Sequence, residues 1–366
     1  MPLRVGVLFG GQSQEHAVSM MSAYAVMEAM QDSYDIIPIA IDKSGRWMAG
    51  DPALGLMKTE TGRAPQWPIH VASAGRPAVS SRRPDEIVPF RPESLTELVD
   101  VVVPVLHGPL GEDGTVQGLL ELADLPYVGS GVLGSALGMD KIAMKTMFGA
   151  VGIPQVAYQG LTRHHWLHDR AQALNALESA LSYPMFVKPA NLGSSVGISK
   201  ATNRQELQTA IDAAQQFDRR IIVEQGVDAR EFEVGVVGWD DADASVVGEV
   251  TVHGHDFYDY HAKYEDGSTE LSIPANIPDE VARQMQELAV KAFHSLDCAG
   301  LARVDFFWER GSQRVLLNEI NTLPGFTPYS MYPVLWEATG VSYPQLIDRL
   351  IEIAIERHQQ RPPRNT

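Results

Sequence analysis

The sequence has a single cysteine, Cys298, among its 366 residues. One thiol excludes an intrachain disulfide and a metal cluster built from cysteines, and such scarcity is typical of proteins in a reducing compartment. Basic residues are also few. The chain has 29 Lys and Arg residues and 46 Asp and Glu residues, which gives a formal net charge of -17. So acidic a chain repels nucleic-acid phosphates and anionic lipids, and neither nucleic acid nor membrane is expected as a partner.

The sequence also lacks the marks of a membrane or exported protein. Residues 1–4 lead directly into the apolar run 5–9, without the apolar core and cleavage site of a signal peptide. Hydrophobic residues make up 45% and charged residues 20% of the chain, which is typical of a globular protein with a sizeable core. We therefore expect a cytoplasmic protein of two or three domains, at roughly 150 residues per domain.

Alternating strand and helix patterns in the first third of the chain predict an α/β domain. An insertion rich in Pro, Gly, Ser and Arg, residues 44–91, interrupts this domain, and hairpin-like pieces are expected within it. Pro104 weakens one predicted strand, because proline cannot donate a hydrogen bond to a central ladder. The predicted elements are strands at 5–9, 35–41 and 101–106 and a helix at 13–30 with Ser13 as its N-cap.

The rest of the chain predicts α+β structure. Three domains are expected, at residues 1–129, 130–223 and 224–366, with a glycine-rich segment marking the first boundary. The predicted helices cover residues 140–151, 169–181, 204–217, 279–296 and 343–357, and the predicted strands include 185–188 and 220–224.

Two apolar strands joined by a turn at Gly311 predict a hairpin with a polar face. Side chains alternate along a strand, so Glu319 and Asn321 share one face, as do Arg303 and Asp305 on the partner strand. The turn brings Asp305 level with Glu319 to within about one residue. Two carboxylates and an amide oxygen suit Mg²⁺, which prefers oxygen ligands and often adds substrate phosphates. A solvated strand face is the alternative.

Two further patterns indicate a nucleotide. A strand ending in Lys188 leads into a loop of Gly and Ser residues, 193–197, and a lysine beside exposed backbone N–H groups can hold a polyphosphate. The spacing is not that of a Walker loop, and a plain linker is the alternative. The connector 224–227 exposes backbone groups that can pair with adenine, and Glu231 can accept ribose hydroxyls; ordinary surface carboxylates are the alternative here.

The first turn of the chain argues against a dinucleotide site. Gly10 and Gly11 are adjacent and no third glycine follows at the required spacing, so hydride transfer loses its main support. Glu15, near the start of the predicted helix, either complements the helix dipole or holds a substrate ammonium. His107 follows an apolar strand, where ligands bind in open α/β sheets, although a structural histidine is equally common there.

These motifs occur in one order along the chain: Gly10-Gly11-Gln12-Ser13-Gln14-Glu15-His16-Ala17-Val18-Ser19, His107-Gly108, Met139-Asp140-Lys141, Lys188-Pro189, Gly193-Ser194-Ser195-Val196-Gly197, Lys263-Tyr264, Arg303-Val304-Asp305 and Asn318-Glu319-Ile320-Asn321-Thr322-Leu323-Pro324-Gly325. Together they resemble the D-alanine:D-alanine ligases of the ATP-grasp superfamily. The resemblance extends from residue 5 to about residue 331, which is most of the chain.

The resemblance implies an ATP-grasp fold preceded by a Rossmann-like α/β domain, with ATP clamped between two α+β subdomains. It also implies D-alanine as substrate, two Mg²⁺ or Mn²⁺ ions, and a homodimer formed through the first domain. The implied nucleotide residues are Lys141, Lys188, Gly193, Ser195, Glu224, Gln225, Val227, Glu231, Lys263 and Asn318. The implied metal ligands are Asp305, Glu319 and Asn321.

In such ligases the carboxylate of one D-alanine attacks the γ-phosphate of ATP, and the amine of a second D-alanine displaces phosphate from the acyl phosphate. Residues 253–270 match the lid loop of the family, whose closure would protect the acyl phosphate from water; a plain surface loop is the alternative. The residues matching the substrate and oxyanion positions are Glu15, His107, Ser194, Tyr264, Arg303, Gly325, Ser330 and Met331.

Two other functions are compatible with the sequence. A depsipeptide ligase would join D-alanine to D-lactate, but such relatives generally lack the tyrosine found here as Tyr264. A catalytically silent nucleotide sensor on the same scaffold is disfavoured, because the predicted lysine, arginine and metal-ligand positions are all filled.

Overall fold

The computed structural model describes residues 2–63, 65, 92–193, 196–252 and 269–362. The chain forms two compact units, each of mixed helix and strand, so the predicted α/β and α+β class is confirmed. The first unit comprises Met1–Val132, Ala299–Leu301 and Leu323–Thr366, and the second comprises Leu133–Cys298 and Ala302–Thr322. The three-domain division of the sequence stays a prediction.

The described residues contain strands and helices of ordinary length. The strands are β1 (Arg4–Gly10), β2 (Asp35–Ile41), β3 (Trp47–Ala49), β4 (Val101–Val105), β5 (Tyr158–Thr162), β6 (Met185–Pro189), β7 (Ser199–Ala201), β8 (Arg220–Gln225), β9 (Ala229–Gly238), β10 (Ala242–Val252), β11 (Thr269–Ser272), β12 (Gly300–Glu309) and β13 (Val315–Asn321). The helices are α1 (His16–Met30), α2 (Asp51–Thr61), α3 (Pro92–Leu98), α4 (Thr115–Leu122), α5 (Val132–Met139), α6 (Lys141–Ala150), α7 (Arg163–His168), α8 (Arg170–Ala180), α9 (Arg204–Ala214), α10 (Asp279–Ser295), α11 (Met331–Thr339) and α12 (Tyr343–Gln359).

The first unit is built on a sheet with strand order β3-β2-β1-β4. Strands β2, β1 and β4 run parallel, and the short β3 pairs antiparallel with β2 as a hairpin. Helix α1 packs on β1 and α2 on β2, while α12 contacts both α1 and β4. The apolar faces of these elements bury the side chains around Leu8, Ile39 and Leu120.

Pro104 lies in β4, which the sheet order places at an edge. The backbone N–H and C=O of Val102 bond outward, to Pro126 and Val128. Because strand residues two apart point their backbone groups the same way, the nitrogen of Pro104 also faces the outer edge, where no β1 hydrogen bond is lost. The predicted strand is therefore compatible with its proline.

The second unit contains two sheets. In the sheet β5-β8-β6-β7, each strand runs antiparallel to its neighbours, and helices α8 and α9 pack against it around the buried Trp166 and Ile211. The other sheet has the order β11-β10-β9-β12-β13, and helix α10 covers it with Met285 and Phe293. Among the described helices, none is both long and apolar enough to cross a bilayer.

The start of α1 differs from the prediction. The helix begins at His16, and Glu15 occupies the N-cap position. The hydroxyl of Ser13 accepts a hydrogen bond from the backbone N–H of Glu15 at 3.2 Å. Ser13 as the N-cap was therefore wrong, because its side chain stabilises the turn that precedes the helix.

The insertion 44–91 also contains more structure than was predicted. Its hairpin-like character is confirmed at β3, but α2 was not predicted, because Gly55 within it lowers the helix propensity of the segment. Helix α7 was missed as well: it precedes the predicted helix at 169–181, and α8 begins at Arg170 after Asp169 has capped it. Residues 66–91 lie outside the described part of the chain.

We expect Gly10→Ala to destabilise the first unit strongly. Gly10 has a φ of +93°, and a Cβ there would lie 2.2 Å from the carbonyl oxygen of Ile41. The substitution adds left-handed backbone strain of about 1–2 kcal/mol and also forces β2 away, so a loss of about 3 kcal/mol in the free energy of unfolding is expected. Gly62→Ala is the control, since Gly62 has a φ of +70° but no atom within 4 Å. Equal losses in urea denaturation of both variants would contradict the steric argument.

Candidate active site

Helix α6 carries two lysines of the site on one face. Asp140 caps the helix, and its carboxylate accepts hydrogen bonds from the backbone N–H groups of Ile142 at 3.1 Å and Ala143 at 2.9 Å. Lys141 is the first helical residue and Lys145 follows one turn later, so their side chains leave the helix on the same side. The cap therefore positions the predicted nucleotide residue Lys141 together with Lys145.

Lys141 reaches two parts of the predicted site. Its Nζ donates a hydrogen bond to the carbonyl oxygen of Leu192 at 2.9 Å, immediately before the small-residue loop that starts at Gly193. The same Nζ lies 3.4 Å from Glu319 Oε2. One ammonium thus connects the predicted phosphate loop with the predicted metal strand.

Two lysines and one glutamate form a buried ion cluster, defined here as Lys145, Lys188 and Glu224. In the register of β6 and β8, Phe186 pairs with Glu224 and Lys188 with Ile222, so Lys188 and Glu224 are diagonal neighbours on one face. Glu224 Oε2 lies 2.6 Å from Lys188 Nζ, and Glu224 Oε1 lies 3.0 Å from Lys145 Nζ. The exposed fractions are 1% for Lys145, 3% for Glu224 and 9% for Lys188.

The charges of this cluster set its pKa values. Burial alone would raise the pKa of Glu224, but Lys145 and Lys188 lower it to about 2. Burial also lowers the pKa of Lys145, and the charge on Lys188 acts in the same direction against the attraction of Glu224. The pKa of Lys188 is raised, because Glu224 and Glu319 outweigh the effect of burial. Glu224 is therefore a carboxylate at neutral pH, directed at the lysines.

Gln225, the last residue of β8, is fixed by two hydrogen bonds at the start of the connector 224–227. The backbone N–H of Gln225 donates to the carbonyl oxygen of Ala157 at 2.9 Å, and its side-chain Oε1 accepts from the backbone N–H of Ser182 at 3.1 Å. Val227 lies in the connector itself and Glu231 lies in β9. The role of this connector toward adenine stays a prediction.

The predicted hairpin of β12 and β13 is confirmed. Arg303 pairs with Asn321 and Asp305 with Glu319 in an antiparallel register. The register then shifts, since Phe306 pairs with Leu317, and this leaves Asn318 as the extra residue of a β-bulge. The carboxylates of Asp305 and Glu319 are therefore level with each other on neighbouring strands, as the spacing predicts.

Arg303 is held between two acidic side chains. Its Nε and Nη2 donate to the two oxygens of Asp305 at 2.8 Å and 2.7 Å, and Nε lies 3.0 Å from Glu233 Oε2. Burial would lower the pKa of this guanidinium, yet Asp305 and Glu233 raise it. Arg303 is thus a permanent cation, and its bidentate pairing with Asp305 fixes the orientation of its guanidinium.

The chemistry of the donor set fits a divalent cation. Among the described residues, no group of three or more His, Cys, Asp and Glu side chains is placed to hold a metal ion. Asp305 and Glu319 supply two carboxylates at one level, and Asn321, two residues beyond Glu319, supplies an amide oxygen on the same strand. Such an oxygen set suits a hard ion that completes its shell with substrate oxygens.

The first unit brings another set of predicted residues together. His107 Nδ1 lies 3.2 Å from the carbonyl oxygen of Leu323 and 3.6 Å from Glu112 Oε1. Burial alone lowers the pKa of His107, but Glu112 and Glu15 raise it overall. His107 Nε2 is buried and has no hydrogen-bond partner among the described residues. A buried, unpartnered nitrogen beside two carboxylates is suited to a polar ligand.

The predicted second-substrate residues lie at the start of α11. Ser330 is the N-cap of this helix and Met331 its first residue. Ser330 Oγ accepts a hydrogen bond from the backbone N–H of Thr327 at 3.1 Å, and a Cβ added to Gly325 would lie 3.2 Å from it. The structure therefore brings Gly325 and Ser330 together in one compact turn.

Some predicted residues and segments lie outside the described part of the chain. They are Ser194, Ser195, Lys263, Tyr264 and residues 253–268 of the predicted lid.

Three charged residues of the site were missed in the sequence. Lys145 could have been found, because it lies four residues after Lys141 on a predicted helix. Glu112 and Glu233 gave no comparable signal, because Glu112 meets His107 within an irregular loop and Glu233 meets Arg303 only through a tertiary contact.

Two family models match this chain. The model described as "D-ala D-ala ligase N-terminus" matches residues 4–130, and that described as "D-ala D-ala ligase C-terminus" matches residues 147–352. The chain belongs to the D-alanine–D-alanine ligase family. The resemblance of its motifs to this family is thereby confirmed.

Relatives in the ligase family align over almost the full chain. A D-alanine–D-alanine ligase of Bacillus cytotoxicus is 49% identical over 98% of this chain and 97% of its own. One of Geobacillus thermodenitrificans is 48% identical over 99% of this chain and 98% of its own.

Solved structures of the ligase family share the fold. The D-alanine–D-alanine ligase of Coxiella burnetii superposes with a TM-score of 0.78 at 36% identity, covering 98% of this chain and 95% of that one. VanG, described as a D-Ala:D-Ser ligase of Enterococcus faecalis, gives 0.79 at 35% identity, covering 97% and 100%. The predicted ATP-grasp fold with an N-terminal α/β domain is therefore confirmed, and with it a family that uses ATP and divalent metal ions.

We expect the ionised Glu224 to contribute to stability in a defined pH range. Its pKa falls from an ordinary 4.5 to about 2 on folding, so the contribution is present above the unfolded value and is lost as the pH falls toward the folded value. The drop in unfolding free energy from about pH 5 to about pH 3 should therefore be smaller in Glu224→Gln than in the parent chain. Glu280→Gln, at an exposed position of α10, is the control. Parallel curves for Glu224→Gln and the parent would contradict the assigned ion cluster.

Proposed function

We propose that this chain joins two D-alanine molecules to D-alanyl-D-alanine, with conversion of ATP to ADP and phosphate. The pairing of Asp305 with Glu319 on β12 and β13, beside Lys141, is the observation that carries the proposal. Two carboxylates and a lysine side by side suit the binding of a nucleotide with divalent cations. Family membership supplies the substrate class. The product serves peptidoglycan precursor synthesis in the cytoplasm.

The first step transfers a phosphoryl group. A carboxylate oxygen of the first D-alanine attacks the γ-phosphorus of ATP, and the bond between that phosphorus and the β,γ-bridging oxygen breaks. ADP departs, and the first D-alanine becomes an acyl phosphate. Lys141 and Lys188 hold the phosphates and offset charge that moves toward ADP. Asp305, Glu319 and Asn321 would hold Mg²⁺ or Mn²⁺, which supplies Lewis-acid stabilisation of phosphoryl oxygens when bound.

The second step forms the peptide bond. The amine of the second D-alanine attacks the acyl carbon, and phosphate leaves with the oxygen that came from the first carboxylate. Arg303 and the backbone N–H of Gly325 stabilise the oxyanion of the tetrahedral intermediate, because fixed donors are most effective where charge develops. Glu15 and His107 bind the substrates through their polar groups.

Further features of the proposal come from the family resemblance. Ser194 and Tyr264 bind the first D-alanine, and Ser330 and Met331 border the second. The adenine lies on the connector 224–227 with Glu231 at the ribose, while Gly193, Ser195, Lys263 and Asn318 complete the nucleotide site. Residues 253–270 close over the site and exclude water. The chain has three domains, at residues 1–129, 130–223 and 224–366, and it forms a homodimer through the first of them.

An ADP-release assay with identification of the product tests this function. Purified chain receives ATP and Mg²⁺ with D-alanine alone, or with D-alanine plus D-serine or D-lactate at neutral pH. We expect ADP release that depends on D-alanine, and D-alanyl-D-alanine as the major product of every mixture. A mixed D-serine dipeptide or a D-lactate ester as the major product would reject the second substrate proposed here. ATP binding without turnover of any D-amino acid would establish a nucleotide sensor instead.

A further inference from the structure

Glu224 divides its two oxygens between two lysines. Oε2 lies 2.6 Å from Lys188 Nζ and Oε1 lies 3.0 Å from Lys145 Nζ. Two ammonium groups and one carboxylate leave the ion cluster with a net charge of about +1, located where only Lys188 reaches toward the surface. The charge available to a ligand therefore depends on both lysines.

Lys145 is too deeply buried to contact a nucleotide itself. Only 1% of it is exposed, and its Nζ also lies 5.9 Å from the centre of the Tyr158 ring. A buried ammonium is costly, so its presence requires a compensating interaction, and Lys145 forms an ion pair with Glu224. The contact through which Lys145 can act on the site is therefore that carboxylate.

We propose that Lys145 is a positioning residue for nucleotide phosphates, which holds one oxygen of Glu224 and so keeps the charge of Lys188 available to the ligand. The inference rests on the proposed role of Lys188 as a phosphate contact. Without the charge of Lys145, Glu224 and Lys188 form a neutral pair in a site of low dielectric. That pair is both tighter and less attractive to an anion.

A second substitution in the cluster distinguishes this role from simple packing. Lys145→Met keeps the length of the side chain and removes its charge. In Lys145→Met/Glu224→Gln the carboxylate is neutral as well, so Lys188 again provides one uncompensated positive charge. A packing defect at Lys145 is not repaired by a change at Glu224, whereas a charge defect is.

The test is calorimetric titration of the folded variants with ADP and with adenosine, both with Mg²⁺ present. We expect Lys145→Met to weaken ADP binding by about tenfold and the double variant to return it to within about threefold of the parent. Adenosine, which has no phosphate, should bind Lys145→Met and the parent chain alike. An unchanged ADP affinity in Lys145→Met, or a loss that the double variant retains, would overturn the inference.

Lys188→Met separates this inference from the proposed function. If it leaves ADP affinity unchanged, then the phosphate role of Lys188 is wrong. If it weakens ADP binding while Lys145→Met does not, then only the role of Lys145 is wrong. Should Lys145→Met fail to fold, Lys145→Gln replaces it, because its amide can still donate to Glu224 without a charge, and a loss of ADP affinity reversed by Glu224→Gln is again expected.

Discussion

Glu319→Gln should lower turnover by about 10³-fold while the chain stays folded. The substitution removes one of the two carboxylate charges that lie level on β12 and β13, and with it the partner of Lys141 at 3.4 Å. The side chain of Glu319 is 28% exposed, so the loss of its charge costs the fold little. Steady-state ADP release at saturating ATP and D-alanine measures the effect.

Glu309→Gln is the matched control for Glu319→Gln. It makes the same chemical change in the same hairpin, at the end of β12 beside Arg314. Because Glu309 lies at the turn rather than beside Asp305, turnover should stay within about twofold of the parent. Near-normal turnover in Glu319→Gln, or an equal loss in both variants, would show that the metal role is misplaced.

Arg303→Lys should reduce turnover by about 10²-fold and change the KM for ATP much less. Lysine keeps the charge but cannot make the two parallel bonds that Arg303 makes to Asp305 at 2.8 Å and 2.7 Å. The cation proposed to stabilise the oxyanion is then displaced, and the Asp305 carboxylate loses its fixed orientation. Steady-state kcat and KM values for ATP and for D-alanine separate the effect on turnover from the effect on the KM for ATP.

Arg314→Lys provides the comparison for Arg303→Lys. Arg314 lies in the same hairpin, its side chain is 64% exposed, and it pairs with Glu309 at 3.3 Å. An exposed ion pair of this kind contributes little, so the variant should behave as the parent does. If Arg303→Lys raised only the KM for ATP, the oxyanion role would be wrong.

The pairing of Asp305 with Glu319 could be predicted from sequence because its determinants are local. A turn at Gly311 and the two-residue period of a strand suffice to place Asp305 beside Glu319. The bulge at Asn318 could not be predicted, because the alternation of side chains along one strand does not show where its partner strand has one residue fewer.

The ion cluster could not be predicted because it depends on three separate elements. Lys145 comes from α6, Lys188 from β6 and Glu224 from β8. The strand register relates Lys188 to Glu224, but only the packing of α6 brings Lys145 to the same carboxylate. The sequence pattern assigned the connector 224–227 to adenine through its backbone groups, and it gave no sign that the side chain of Glu224 meets two lysines.

The start of α1 was misplaced for a local reason. Ser13 has the side chain of a good N-cap, and an acidic residue follows two positions later. The chain makes one more turn before the helix, stabilised by the bond from the Glu15 backbone to Ser13 Oγ. Capping preference alone does not distinguish these two starts.

The most direct test of the central claim follows an oxygen atom from D-alanine to phosphate. D-alanine labelled with ¹⁸O in its carboxylate is incubated with unlabelled ATP, Mg²⁺ and the purified chain in ordinary water, and the released phosphate is analysed by mass spectrometry. An acyl phosphate on the path predicts one ¹⁸O atom in each phosphate formed with D-alanyl-D-alanine. Phosphate without label, formed together with the dipeptide, would contradict the account.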